Sequence, residues 1–246
     1  MLLLFGQNLF SKAHFTLWCY FMKIAAVIPA RKGSRRLPNK HLIPFGNSNL
    51  LVNKINQLKQ VELIDEIVVS TDCSKMIEVA KQESVHFLLR PTEYCDEMSK
   101  TFNEVVAYIA SNIQADILLW SPCVCPIVGA DSYQKALISF LSKGNKYDSV
   151  VSAMPLKEYI FDEQGPINFS IKHHVPTQLL PDWFIITNGF FIANRNDMIK
   201  WKFVYGNTPL LQTVSKFEAI DIDDRMDFEL AEHIYQILQK DGNDGN

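Results

Sequence analysis

From Lys23 onward, apolar runs alternate with amphipathic segments. Ile24–Pro29 is a continuous apolar run and predicts a buried strand; Leu50–Lys59 predicts a helix. Residues 67–70 predict a second strand. Residues 74–83 predict a helix whose apolar face is Met76, Ile77, Val79 and Ala80. The alternation continues through a short strand at 85–89, a helix at 101–112, a strand at 116–120, a helix at 132–142 and a strand at 149–153. Such a rhythm predicts an α/β fold with a mostly parallel sheet flanked by helices. Strands buried on both faces read as continuous apolar runs, as these do.

The rhythm fails between Pro155 and Asp182. Pro155, Pro166, Pro176, Pro181, Gly165 and the adjacent His173 and His174 fall there. The segment is too long for a simple connection, so an excursion, an arm or small subdomain, is expected over 155–182. A strand is expected again at 185–193, a last strand at 217–222 and a terminal helix at 225–240. Phe228, Ala231, Ile234, Tyr235 and Leu238 form that helix's apolar stripe. Residues 241–246 are polar and read as a disordered tail. At the other end, residues 1–21 are apolar but interrupted by Gln7, Asn8, Lys12 and His14. They suit neither a transmembrane helix nor a signal peptide. They read as an extension outside the fold, with Met22 as the natural start and 22–240 as the domain.

Composition narrows the class of function. A net charge of -3, from 24 basic and 27 acidic residues, excludes a broadly basic nucleic-acid face. The five cysteines, Cys19, Cys73, Cys95, Cys123 and Cys125, form no CxxC pair. That pattern predicts free thiols in a reducing cytoplasm rather than disulfides or a zinc site.

Against this background, the loop after the first strand stands out. It carries Arg31, Lys32, Arg35, Arg36 and Lys40 around Gly33 and Ser34. Ligands of open α/β sheets bind beyond the carboxyl ends of the strands, where this loop is delivered. Gly33 permits close approach, Gly33-Ser34 can present backbone N–H groups to an anion, and Arg31 and Lys40 supply charge. Neither a P-loop nor a GxGxxG fingerprint is present, which disfavours a dinucleotide-dependent dehydrogenase. A solvated basic loop is the bland alternative. A second cluster is Asp221-Ile222-Asp223-Asp224. In an extended segment Asp221 and Asp223 share one face, with Ile220 and Ile222 toward the core. Two close carboxylates suit a hard divalent cation, and Mg2+ is the usual partner of phosphate. Asp224 is expected to cap the terminal helix. Phosphate cradle and magnesium carboxylates together suggest phosphoryl or nucleotidyl transfer.

Several stretches in order resemble the acylneuraminate cytidylyltransferases, the CMP-sialic acid synthetases and their CMP-nonulosonate and CMP-Kdo relatives. These are Ile28-Pro29-Ala30-Arg31-Lys32-Gly33-Ser34 with Leu37-Pro38-Asn39-Lys40, then Val68-Val69-Ser70-Thr71-Asp72, and Arg90-Pro91 with Glu93. Gln178-Leu179-Leu180-Pro181, Asn188-Gly189 and Ile220-Asp221-Ile222-Asp223 complete the series. The resemblance implies a Rossmann-like, nucleotide-diphospho-sugar transferase-like fold with a dimerisation arm at 155–182, and a cytoplasmic homodimer. It implies a reaction of CTP with a sialic-acid-like keto-sugar acid, giving a CMP-sugar and pyrophosphate with Mg2+, for surface polysaccharide or glycan synthesis. Nucleic acid and membrane are not implied as partners. Carried over by motif, Arg31, Gly33, Ser34, Arg35 and Lys40 would hold the triphosphate, and Arg90, Ser99 and Thr101 the base and ribose. Asp221 and Asp223 would hold the metal, making Arg31, Lys40, Asp221 and Asp223 the catalytic set. Lys157, Gln178 and Asn188 would lie by the sugar. Thr71 and Asp72 are expected only to cap the next helix, and Asn188-Gly189 is open to reading as a mere bend.

Departures bear on the sugar. The family usually has Gly and Asn where Arg36 and His41 stand, and a Gln-Pro-Thr-Ser-Pro stretch where this chain has Trp120-Ser121-Pro122-Cys123-Val124-Cys125-Pro126. Indole cannot accept a hydrogen bond as glutamine does. Lys172-His173-His174 replaces arginines expected before Gln178. The acceptor therefore stays open among sialic, legionaminic, pseudaminic and Kdo-like acids. The alternatives are a nucleotidyltransferase for another sugar and an inactive nucleotide-binding homologue.

Overall fold

The structure is a computed structural model that describes residues 22–243; the extension at 1–21 and the last three residues of the tail lie outside it. A seven-stranded sheet runs in the order β11-β7-β10-β6-β1-β4-β5. Its strands are β1 Ile24–Pro29, β4 Glu66–Thr71, β5 His86–Leu89, β6 Ile117–Trp120, β7 Ser149–Leu156, β10 Trp183–Asn194 and β11 Pro209–Thr213. The pairs β1–β4, β1–β6, β4–β5 and β7–β11 are parallel, while β10 runs antiparallel to both neighbours. Small hairpins are formed by β2 Pro44–Phe45 with β3 Ser48–Asn49, and by β8 Phe161–Asp162 with β9 Gly165–Pro166. The helices are α1 Leu50–Lys59, α2 Ser74–Gln82, α3 Phe102–Ser111, α4 Ala130–Ser142, α5 Arg195–Trp201 and α6 Arg225–Asn243.

Alternation along each strand divides the core in two. Ile24, Ala26 and Ile28 of β1 pack on one face with Leu50, Leu51 and Ile55 of α1 and Tyr133 and Leu137 of α4. Ala25 and Val27 pack on the other with Val106, Ile109 and Ala110 of α3 and Met198 of α5. Period-two side chains on a doubly covered sheet leave no polar face, which is why the strands read as unbroken apolar runs.

The bounds of β1 and α1 match the sequence expectation. The helix α5, the strand β11 and the small β2–β3 hairpin were not anticipated. The strand expected at 217–222 is absent: residues 216–219 form a turn, and 220–223 run without regular structure. This edge of the sheet is formed by β11, and Ile222 is held instead by the Val124 carbonyl, 2.9 Å from its N–H, and by Lys40 Nζ, 2.7 Å from its carbonyl oxygen. Ile222 still faces the core, fully buried, with Asp221 and Asp223 on either side.

The 155–182 excursion holds the β8–β9 hairpin and is carried by the ends of β7 and β10, which extend past the carboxyl end of β6, whose last residue Trp120 pairs with Phe191. Trp183, Phe184, Ile185 and Ile186 in this ribbon are exposed on both faces. Among the described residues, no helix is long and apolar enough to cross a membrane.

Candidate functional site

A cleft of about 870 Å3 opens at the carboxyl end of β1, β5 and β6. Of the residues singled out from sequence, Arg31, Gly33, Ser34, Arg35, Lys40, Arg90, Thr101, Asn188 and Asp223 line it. Asp221 lies just behind, bonded to Asn188. Ser99, Lys157 and Gln178 do not line it. Ser99 donates its hydroxyl to Asp96 Oδ2 at 2.6 Å. Lys157 is engaged on the arm by the Leu180 carbonyl at 2.7 Å and Asp182 Oδ1 at 2.6 Å, and Gln178 is exposed there.

The basic loop is held in shape by its surroundings. The Ala30 N–H donates to the Ser70 carbonyl at 2.9 Å, continuing the β1–β4 ladder beyond Pro29. Asp72 accepts from the Lys32 N–H at 2.8 Å and so shapes this loop; the expected cap of α2 by Thr71 or Asp72 is not formed, because that helix is entered through Cys73 with no side-chain cap. Arg31 donates to the Cys95 carbonyl at 3.2 Å and pairs with Glu97, which fixes its guanidinium toward the cleft. Gly33 has no left-handed backbone angle, and a Cβ there would meet nothing within 4 Å. Its bareness leaves open space in the cleft rather than relieving strain.

Lys40 opens a short helical turn, Lys40–Leu42, entered through Asn39 at φ 55°. Its Nζ donates to the Ile222 carbonyl at 2.7 Å, so one ammonium ties the basic loop to the carboxylate segment. Burial lowers its pKa, opposed by Asp221 and Asp223. Asp221 accepts from Asn188 Nδ2 at 2.6 Å through Oδ2, while its Oδ1 is buried without a partner among the described residues. Burial is the first cause raising its pKa; the Asn188 bond opposes that, and Asp223 adds to it. Asp223 pairs with Arg36 at 2.6 Å. Asp224 accepts from the N–H groups of Met226 and Asp227 at 2.8 and 3.1 Å, the expected cap of α6.

The Asn188-Gly189 pair falls where the β7–β10 register shifts, between Ile186 and Phe191. This bulge turns Asn188 toward Asp221. A Cβ on Gly189 would meet Ser152 Oγ at 3.0 Å and Val128 Cγ2 at 3.2 Å. Ser152 cannot easily yield, because its hydroxyl also accepts from the Phe190 N–H at 3.0 Å and Thr187 Oγ1 at 2.8 Å.

Near Arg90, three buried polar atoms lack partners among the described residues: Arg90 Nε, His41 Nδ1 and Ser70 Oγ. Groups left this way in a protein interior are costly unless a ligand completes them. Burial pushes His41 down to about 3, reinforced by Lys40, Arg90 and Arg31. An unfolded histidine titrates near 6.5, so below that pH the unfolded chain takes a proton the native imidazole refuses. The stability from neutral His41 is present above about 6.5 and is lost progressively toward pH 3. The expected loss is about 2 kcal/mol between pH 7 and 5. In scanning calorimetry, His41→Asn should flatten this acid slope relative to the wild type. A slope identical in both would contradict a buried neutral His41.

Sequence reasoning missed the other half of the cleft. Phe102, Trp120, Phe191, Phe203 and Tyr205 make an aromatic wall, with Phe102 edge-on to both Trp120 (6.2 Å) and Phe203 (5.6 Å). Phe203 and Tyr205 follow α5, which had no clear signal. Among the described residues, no group of three or more His, Cys, Asp or Glu side chains converges. A cation here would take the Asp221 and Asp223 carboxylates and complete its shell from phosphate and water, as Mg2+ does. The unpartnered Asp221 Oδ1 fits that role.

Residues 25–164 match the family model described as Cytidylyltransferase. The N-acylneuraminate cytidylyltransferase of Escherichia coli O18:K1:H7 is 28% identical over 225 residues, covering 87% of this chain and 52% of its own length. The CMP-N,N'-diacetyllegionaminic acid synthase of Legionella pneumophila is 28% identical over 239 residues, 89% of this chain and 99% of its own. The chain thus spans about half the length of the first relative and nearly all of the second. Among solved structures, CMP:2-keto-3-deoxy-manno-octonic acid synthetase complexed with CTP superposes with a TM-score of 0.66. It is 13% identical and covers 87% of this chain and 98% of that one, a likeness of fold.

Proposed function

The chain belongs to the cytidylyltransferase family, and from that premise we propose that it couples CTP to a sialic-acid-like keto-sugar acid, for surface glycan or polysaccharide synthesis. The products are a CMP-sugar and pyrophosphate. The acceptor's anomeric hydroxyl oxygen attacks the α-phosphorus, the α–β bridging bond breaks, and pyrophosphate carries the displaced charge away. The observation that carries this reading is the meeting, at one cleft, of a basic loop, the Asp223 carboxylate with Asp221 just behind it, and the unpartnered buried nitrogens of Arg90 and His41.

In this reading Arg31, Gly33, Ser34, Arg35 and Lys40 hold the triphosphate. Arg90 and His41 complete their hydrogen bonds on cytosine, with Thr101 and Ser99 on the ribose side. Asp221 and Asp223 hold Mg2+, which when bound neutralises the triphosphate and leaving-group charge. Asn188 aims Asp221. Arg36 gives up Asp223 to the cation and turns to a phosphate oxygen. That exchange costs little, because the pair is solvent-exposed. The aromatic wall suits an acceptor carrying acylamido or deoxy substituents.

The reading also makes the protein a homodimer through the 155–182 arm and the β7–β10 ribbon that carries it. A two-stranded ribbon with apolar residues on both faces is marginal alone. A second copy covering Phe184 and Ile186 would bury them and would carry Lys157 and Gln178 toward the neighbouring cleft. Ile186→Lys is therefore expected to shift light-scattering mass from dimer to monomer; a wild-type monomer at micromolar concentration would contradict it. Among the described residues, Cys73, Cys95, Cys123 and Cys125 are buried free thiols, in keeping with a reducing cytoplasm.

The function is tested by pyrophosphate release from CTP with Mg2+ across N-acetylneuraminic, legionaminic, pseudaminic and Kdo acids, beside ATP, GTP and UTP. Release with CTP and one acid supports the proposal. Release with another nucleotide, or with none while CTP binds, overturns it.

A further inference from the structure

Lys54 lies on α1 and is completely buried, yet nothing in the proposed reaction touches it. Burying an ammonium is expensive, and an apolar residue would fill the same space more cheaply. Burial pushes this ammonium down to about 8. Lysine offers what an apolar residue lacks, three donors on a long stem.

Those donors reach two places. Nζ donates to the Cys125 carbonyl at 3.0 Å and to the Tyr133 hydroxyl at 2.5 Å, and it stands 5.0 Å from the centroid of the Tyr133 ring. The same helix sends Asn53 Nδ2 (3.0 Å) and Gln57 Nε2 (2.6 Å) to the next carbonyl, Pro126. Residues 121–126, the loop after β6, are thus clamped from beneath by one helix. The Tyr133 hydroxyl also shares a 2.7 Å hydrogen bond with Ser121 Oγ and lies 3.5 Å from the Gly189 carbonyl.

Both routes end at the carboxylates. Along the loop, the Val124 carbonyl accepts from the Ile222 N–H at 2.9 Å, and Ile222 lies between Asp221 and Asp223. Along the strand, Gly189 adjoins Asn188, whose amide holds Asp221 Oδ2 at 2.6 Å. Lys40 closes on the Ile222 carbonyl from the opposite side.

We propose that Lys54, acting through Tyr133 and the Cys125 carbonyl, is the positioning residue that sets the spacing and aim of Asp221 and Asp223. The inference rests on reading that pair as metal carboxylates. Groups one layer behind a metal's ligands typically control affinity by about 10–100-fold.

The test follows Mn2+ by electron paramagnetic resonance, with CTP present, for wild type, Asp221→Ala, Lys54→Met and Tyr133→Phe. CTP affinity in EDTA and melting temperature are measured on the same samples. Lys54→Met and Tyr133→Phe are each expected to weaken Mn2+ binding about tenfold, with CTP affinity in EDTA held within about twofold. The double variant should be no weaker than the worse single, because both act through one network. If Lys54→Met fails to fold, Tyr133→Phe, which keeps the ring, carries the test. Mn2+ affinity unchanged in Lys54→Met and Tyr133→Phe, but lost in Asp221→Ala, overturns the role of Lys54 and leaves the metal reading standing. Affinity unchanged in Asp221→Ala overturns both. A lower melting temperature with wild-type Mn2+ affinity marks Lys54 as a packing residue and also overturns the proposal.

Discussion

Replacing Asp221 with alanine is expected to lower kcat/KM for CTP by about 10^3-fold, the equivalent of about 4 kcal/mol. Asp221 is half-buried, its Oδ2 is committed to Asn188, and its Oδ1 is buried without a partner. Burial and the neighbouring Asp223 both push its pKa up, so keeping it ionised is costly. A desolvated carboxylate with one oxygen unpartnered is what the proposed cation would complete. Losing the side chain removes little packing, and the melting temperature should hold. Because the metal-free pKa is raised, protons compete with Mg2+ for this carboxylate from a higher pH than at an exposed aspartate, so the Mg2+ activation midpoint should rise sooner on acidification. Pyrophosphate release measured against pH and Mg2+ concentration checks both points. Full turnover in Asp221→Ala would end the metal assignment.

Lys40→Met is expected to cost about 10^2–10^3-fold in kcat, the range for removing one preorganised charged donor. The loss has two parts. The ammonium no longer faces the triphosphate, and the 2.7 Å bond to the Ile222 carbonyl disappears. The second loosens the backbone between Asp221 and Asp223, so the Mg2+ activation midpoint should rise together with KM for CTP. Lys40→Arg should recover little, because a planar guanidinium cannot occupy the point where a compact ammonium meets one carbonyl. Steady-state kinetics across a magnesium series separate these effects. A change in KM alone would confine Lys40 to the nucleotide.

Much of this was legible in the chain, for physical reasons. The first strand and the helix at Leu50–Lys59 have the observed bounds, because an unbroken apolar run and a clean helical stripe admit one reading each. The basic loop and the Asp221–Asp223 pair announced themselves as charge abutting apolar runs. What stayed hidden depends on tertiary context. The helix Arg195–Trp201 buries only Met198, too short a stretch for a periodic signal. The edge strand Pro209–Thr213 opens on proline and has no fully buried residue. Residues 217–222 alternate like a strand, but they pair with no strand and are held instead by the Val124 carbonyl and Lys40. Lys54 reads as a residue of the helix's polar face, and only the fold brings Tyr133 and Cys125 over it. The aromatic wall joins Phe102, Trp120 and Phe203 from three distant segments, and no local pattern links them.

The central claim is that the α-phosphate of CTP passes to a sugar acid at this cleft. Phosphorus NMR of CTP, Mg2+ and the acid selected by the panel follows that atom directly. The account predicts a new phosphodiester resonance from a CMP-sugar, growing in equal measure with pyrophosphate and absent with Asp221→Ala. Free CMP with pyrophosphate, or CTP bound and unchanged, would contradict it.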